Sequence, residues 1–87
     1  MSQYKSYVIV EINWKEYDHY NGYSERRQIL AVSDSLEKAK RFIEETAEVD
    51  GYSYKWSDEY NYSYYENGEN NGVTYGTRFT IKTTINL

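Results

Sequence analysis

Residues 33–51, SDSLEKAKRFIEETAEVDG, decide the fold, because this is the one stretch whose apolar residues recur at helical spacing. Leu36, Ala39, Ile43, Thr46 and Ala47 fall within roughly a 100° arc at 3.6 residues per turn, and Phe42 and Val49 widen that arc on one side. Asp34 followed by Glu37 has the spacing of a capping box, which places the start of the helix, and Gly51 supplies a left-handed stop. A single amphipathic helix with one narrow apolar stripe is therefore predicted. On either side of it, the chain reads as strand and turn.

Before the helix, residues 7–17 alternate. Val8, Val10, Ile12 and Trp14 share one face, Ile9, Glu11, Asn13 and Lys15 take the other, and the even face is expected to be the core face. Asn21-Gly22 is a strong hairpin signal, since a type I′ turn needs positive φ at both central residues. A turn centred there pairs Trp14 with Ile29, Ile12 with Ala31, Glu16 with Arg27 and Tyr17 with Arg26, which matches apolar with apolar and acid with base. Strands are predicted at about residues 4–17 and 24–32.

After the helix, Tyr52, Tyr54, Trp56, Tyr60, Tyr62 and Tyr64 all occupy even positions, so this run reads as a strand with one aromatic face. Ser57-Asp58-Glu59 has low strand propensity, and a bulge or bend is expected there rather than a buried carboxylate. A turn over residues 66–72 leads to a last strand, residues 73–87, with Val73, Tyr75, Phe79, Ile81, Ile85 and Leu87 on its odd face. Any even-numbered loop puts that face on the same side as the tyrosine row and leaves the register open. The predicted fold is α+β, β-β-α-β-β, a four-stranded mainly antiparallel sheet of two hairpins with one helix across one face. One helix is ~10 to 12 Å wide while strands repeat near 4.8 Å, so it covers two or three strands, and part of the aromatic face must find other cover or stay exposed.

Eighty-seven residues make a single domain, 1–87, with a thin core. No cysteine is present, so neither a disulfide framework nor a thiolate metal site is expected. The longest apolar run is four residues, and no leader or membrane span is expected; a cytoplasmic protein is the default reading. The formal net charge is −4, unevenly spread: residues 44–69 hold eight acids against Lys55 alone, a balance of −7, and the remainder is +3. Such a chain repels nucleic acid on its acidic side and attracts a basic partner. The twelve tyrosines against two Phe imply rings with one wet edge.

No catalytic motif is found, and a non-enzymatic protein is expected. His19, the single histidine, lies in a turn with no second ligand or orienting partner, and reads as a solvated turn residue. No cofactor or metal site is indicated. The acids Glu44, Glu45, Glu48 and Asp50 gather at the helix end where the macrodipole is already negative, with Lys38, Lys40 and Arg41 toward the other end, and each misplaced charge costs about 0.3 to 1 kcal/mol. Local rules tend to fail where function is located. The expected partner-binding residues are Glu44, Glu45, Glu48, Asp50, Asp58 and Glu59 with Tyr60, Tyr62 and Tyr64. The partner is a basic protein, not nucleic acid or a membrane; homodimerisation through the tyrosine face is a further expectation. An alternative reading makes the chain a small-ligand, nucleotide-like binder or sponge, with Tyr60, Tyr62, Tyr64 and Trp14 lining an aromatic pocket.

In size, acidity and lack of enzymatic motifs, the chain resembles the small acidic proteins that phages use against bacterial defence systems, the anti-CRISPR proteins among them. That resemblance implies an inhibitor of a nucleic-acid-handling complex that presents carboxylates to a basic cleft, in the manner of a nucleic-acid mimic. It assigns no role to any individual residue.

Overall fold

The structure is a computed structural model that describes residues 4–17, 22–49, 51–68 and 73–86. His19, Asn21 and Asp50 lie outside the described residues. The element order is β1 (Tyr4–Tyr17), β2 (Gly22–Ser33), α1 (Leu36–Glu48), β3 (Lys55–Trp56), β4 (Asn61–Gly68) and β5 (Val73–Asn86). The strands form one antiparallel sheet in the order β2-β1-β5-β4-β3, with α1 packed on one face. The α+β class and, among the described residues, the single helix are as predicted, but the described sheet has five strands where four were expected. The extra strand arises at Ser57-Asp58-Glu59, where the tyrosine-rich run folds back on itself instead of merely bending.

The helix starts one residue later than the capping-box spacing indicates. Ser35, in extended backbone, is the N-cap, and its side chain accepts from the Lys38 N–H at 3.3 Å, while Asp34 reaches the Lys38 ammonium at 3.5 Å. Ser35 directly precedes Leu36, the first residue of the apolar stripe, and this position lets its hydroxyl satisfy an N–H of the first turn. At the other end Gly51 has φ 79°, the left-handed stop that the sequence indicates. Ala39, Ile43 and Ala47 are buried and Leu36 is half-buried, whereas Phe42 and Val49 are exposed, so the stripe is narrower than the periodicity suggests.

The helix packs on the odd face of β1. Ile9, Phe79 and Ile81 join Ala39, Ile43 and Ala47 in the core, with Tyr7, Leu30, Ala31, Tyr54, Trp56 and Tyr62 packed around them. This corrects the expectation that the even face of β1 is the core face. Val10 and Ile12 on the even face are nevertheless buried, and Ile12 stands between its cross-strand neighbours Arg27 and Arg78, whose aliphatic stems are placed to cover an apolar floor. On that same face, Ile29 and Val32 remain exposed.

The first hairpin is also registered differently. Tyr17 pairs with Gly22, Trp14 with Glu25, Ile12 with Arg27 and Val10 with Ile29, four residues out of step with a turn centred on Asn21-Gly22. Gly22 belongs to the strand rather than to the turn, and Gly51 is the glycine with positive φ among the described residues. A register shift between Ile9 and Val10 leaves Leu30 as an extra residue on β2, so that consecutive residues Leu30 and Ala31 both reach the core. On the other side of β1, Trp14 pairs with Gly76, and a Cβ on Gly76 would lie 2.8 Å from Trp14 Cζ2 and 2.8 Å from the Tyr64 carbonyl oxygen. The indole therefore requires a glycine at that place in the register. Tyr62 pairs with Phe79, which puts the tyrosine row and the odd face of β5 on one side, as expected of an even-numbered loop.

The molecule is elongated, 55 × 26 × 19 Å. The 13-residue helix is ~20 Å long, while the 14-residue β1 and β5 run to ~46 Å. Cover is thus short along the strands, not only across them. Across the sheet, the aromatic side chains of β3 and β4 take over from the helix.

Candidate interaction surface

The site begins with the β3–β4 turn. Ser57 N–H donates to the Asn61 carbonyl at 2.9 Å, and the Asp58 carboxylate accepts from the Tyr60 N–H at 2.7 Å and from the Asn61 side-chain amide at 2.9 and 3.0 Å. Asp58 thus closes the turn with its own side chain. The Tyr60 N–H, followed by the Asn61 amide, holds its carboxyl below the ordinary range, so the group carries its charge. Asp58 and Glu59 are exposed at the tip, and Tyr60 is on the rim of exposure.

The hairpin places two aromatic rows against each other. Tyr52 stacks on Tyr64 with ring centroids 4.1 Å apart, Tyr54 on Tyr62 at 5.3 Å, and Trp56 tilts against Tyr62 at 4.6 Å. Tyr54 also meets Tyr64 and Phe79, at 5.5 and 5.7 Å, which joins this ladder to the main core. Offset and tilted ring pairs of this kind contribute about 0.5 to 1.5 kcal/mol each beyond their buried area. The ladder is the cover that the helix cannot supply.

One edge of the helix closes over the ladder. Glu44 accepts from the Trp56 indole N–H at 3.1 Å, and one turn earlier the Lys40 ammonium stands 4.6 Å from the centre of the same ring. Burial, then the carboxylates of Glu44 and Glu48, push the Tyr62 phenol above its ordinary value. Glu44 and Glu48 therefore share one helix edge with Trp56 and Tyr62, and Asp58 and Glu59 lie two and three residues beyond Trp56 in the chain. The last turn of α1 holds no base. Among the described residues, Glu44, Glu45, Glu48, Asp58 and Glu59 enter no ion pair; the two ion pairs present join Arg27 to Glu25 and Lys38 to Asp34.

Of the expected partner-binding residues, Glu44 and Glu48 are exposed on this edge, Glu45 is exposed about 100° further round the helix, and Asp58, Glu59 and Tyr60 are exposed in the β3–β4 turn. Tyr62 is half-buried and Tyr64 is 8% exposed, so these two rings serve the ladder; the outward ring of the second pair is Tyr52, 48% exposed. Trp56 and Lys40 were not among the expected residues. Their signal was the even position of Trp56 in the tyrosine row and the i,i+4 spacing of Lys40 and Glu44, which together place one indole against two helix side chains. The alternative pocket of Tyr60, Tyr62, Tyr64 and Trp14 is not formed: Trp14 lies over Gly76 on the opposite face of the sheet from Tyr62 and Tyr64. No group of three or more His, Cys, Asp or Glu side chains among the described residues could hold a metal ion, and no helix among them is long and apolar enough to cross a membrane. Compared with protein families, with curated proteins and with solved structures, the chain matches none.

Proposed function

We propose that the chain is a non-enzymatic binding protein whose acidic edge, Glu44, Glu45, Glu48, Asp58 and Glu59 with the outer rings Tyr52 and Tyr60, takes a basic protein partner. The observation that carries this reading is the set of exposed carboxylates in the second half of α1 and the β3–β4 turn, which enter no ion pair among the described residues and have no base beside them in the last helical turn. Unneutralised charge of one sign steers an oppositely charged partner, and exposed tyrosines beside it supply the apolar contact that charge alone lacks. A phage-type inhibitor occupying the nucleic-acid cleft of a defence complex is the form that the resemblance in size and acidity suggests. The test is affinity capture from a host lysate at about 50 and 500 mM salt, spanning Debye lengths of roughly 14 to 4 Å. A specific basic protein held at the low salt and released at the high supports the reading; capture that is indifferent to salt defeats it.

A second reading is a homodimer through the outer face of β2. The inner tyrosine rings stack on one another, whereas Ile29 and Val32 stand 66% and 60% exposed on the edge strand β2. Sedimentation of the parent beside Ile29→Lys checks this: a dimer that the substitution dissociates supports pairing through β2, and a monomer throughout excludes it.

A further inference from the structure

The uncovered end of the helix-side face carries a second site, unrelated to the acidic edge. Beyond the reach of α1, residues 13–15 and Tyr17 of β1, Ser24 and Arg26 of β2 and residues 75–77 of β5 enclose an open-sided pocket of about 260 Å³. Strand alternation puts Asn13, Lys15 and Tyr17, Arg26, Tyr75 and Thr77 on this face, and all six line the pocket. Lys15 and Arg26 therefore border it, and none of its lining residues among the described ones is acidic. Tyr17 and Tyr75 are half-buried, and Tyr17 packs against its cross-strand partner Gly22, where a Cβ would lie 3.3 Å from Tyr17 Cδ2. Neutral polar groups are already fixed in place: the Thr77 hydroxyl donates to Asn13 Oδ1 at 2.8 Å, and Asn13 Nδ2 donates to Glu11 at 3.1 Å.

We infer that this pocket binds a small anion that carries a planar ring, of the size of a nucleoside monophosphate or an aromatic carboxylate. Lys15 and Arg26 would take the charged group, since both are exposed and enter no ion pair among the described residues, which leaves their donors to an incoming anion. The rings of Tyr17 and Tyr75 would take the planar part, and the Asn13–Thr77 pair would meet its polar edge. The volume lies just below the ~300 to 1,000 Å³ of drug-sized sites, which suits one ring and one charged group and is too small for an oligonucleotide. The chain's net charge of −4 further disfavours a polyanion. The pocket does not depend on the acidic edge, so either site can fail without the other.

The test uses amide and indole NMR of the full chain, titrated with AMP, adenosine, benzoate, benzyl alcohol and inorganic phosphate. The expected result is a saturable shift from AMP or from benzoate, centred on residues 13–17, 24–26 and 75–77 and on the Trp14 indole, with a Kd on the order of 1 mM or tighter. AMP alone, benzoate alone or both then distinguish the two ligand sources. The uncharged counterparts and phosphate are expected to bind at least about tenfold more weakly, as are the charged ligands to Arg26→Gln and Lys15→Gln. Both side chains are exposed, so the variants keep the parent spectrum elsewhere. No shift from either anion, shifts centred on Trp56 instead, equal binding of the uncharged counterpart, or parent-like affinity in both variants overturns the assignment.

Discussion

The indole N–H of Trp56 donates to the Glu44 carboxylate at 3.1 Å while Lys40 stands over the face of the same ring, so one side chain ties the edge strand to the helix through both its polar tip and its π-system. Trp56→Phe keeps a ring against Tyr62 and removes the donor. It is expected to cost about 1 kcal/mol, and in a double-mutant cycle with Glu44→Gln the coupling should be about 0.5 to 1 kcal/mol. Chemical denaturation of the four proteins reads both numbers, and a coupling indistinguishable from zero would show that the contact contributes nothing.

Ile43 is fully buried at the centre of the helical stripe, whereas its neighbour Phe42 is 38% exposed. Ile43→Asp leaves an unpaired carboxylate in the core and is expected to abolish cooperative unfolding, since such burial costs several kcal/mol. Phe42→Asp should retain a cooperative melt. Circular dichroism on heating separates the two, and equal behaviour would overturn the helix orientation.

The glycines discriminate between two hairpin geometries. Gly76→Ala would drive a Cβ to 2.8 Å from the Tyr64 carbonyl oxygen, a backbone atom in the neighbouring strand, so a loss of about 2 kcal/mol or more is expected. Gly22→Ala meets only the Tyr17 ring, at 3.3 Å, within a strand and without positive φ, and should change stability by less than about 1 kcal/mol. A turn centred on Asn21-Gly22 would put Gly22 at positive φ, so that Gly22→Ala would cost about 1 kcal/mol or more, which makes that melt a direct check on the hairpin register.

The helix, the boundaries of β1 and the common face of the tyrosine row with β5 were legible because each rests on a long, single periodicity. The core face of β1 was not. Its even side, Val8, Val10, Ile12 and Trp14, is the more apolar over its whole length, but the helix covers only the region of Tyr7 and Ile9, and the odd side turns polar at Glu11 where that cover ends. The hairpin register failed for a related reason: a good turn dipeptide and a good set of charge pairs lost to a register in which an extra residue on β2 brings both Leu30 and Ala31 to the core beneath the helix, which pairing between two strands does not show. Among the expected site residues, the acids were legible from charge alone. That Tyr64 is buried while Tyr52 is exposed depended on where the run turns back, at Asp58.

That turn has its own pH signature. The Tyr60 N–H and the Asn61 amide favour the ionised Asp58 carboxylate in the folded chain, so its folded value lies below the ordinary 3.8. The stabilisation is fully present above about that pH and is lost as the pH falls through the folded value. Asp58→Asn should flatten this part of the acid limb, seen as a smaller drop in Tm between neutral pH and pH values below 3.8. An unchanged acid limb would mean that the turn does not depend on the charge.

The acidic edge can be tested by making stability and binding move in opposite directions. Glu44 is excluded from the substitution because it accepts the Trp56 N–H, and Asp58 because it closes the turn. Glu45, Glu48 and Glu59 are exposed and enter no ion pair among the described residues, so Gln at all three removes charge while leaving the packed side chains in place. Two of the three sit in the second half of α1, where negative charge opposes the helix dipole by about 0.3 to 1 kcal/mol each, so the triple variant should match the parent in stability or exceed it. A basic partner, by contrast, should associate more slowly with the variant and with a weaker dependence on salt, because steering scales with the charge removed. An ordinary solvated helix face would give the stability gain without the loss of binding. Binding by the variant as tight as the parent's at low salt would therefore remove the acidic edge from the interface and leave the exposed rings Tyr52 and Tyr60 as its remaining candidates.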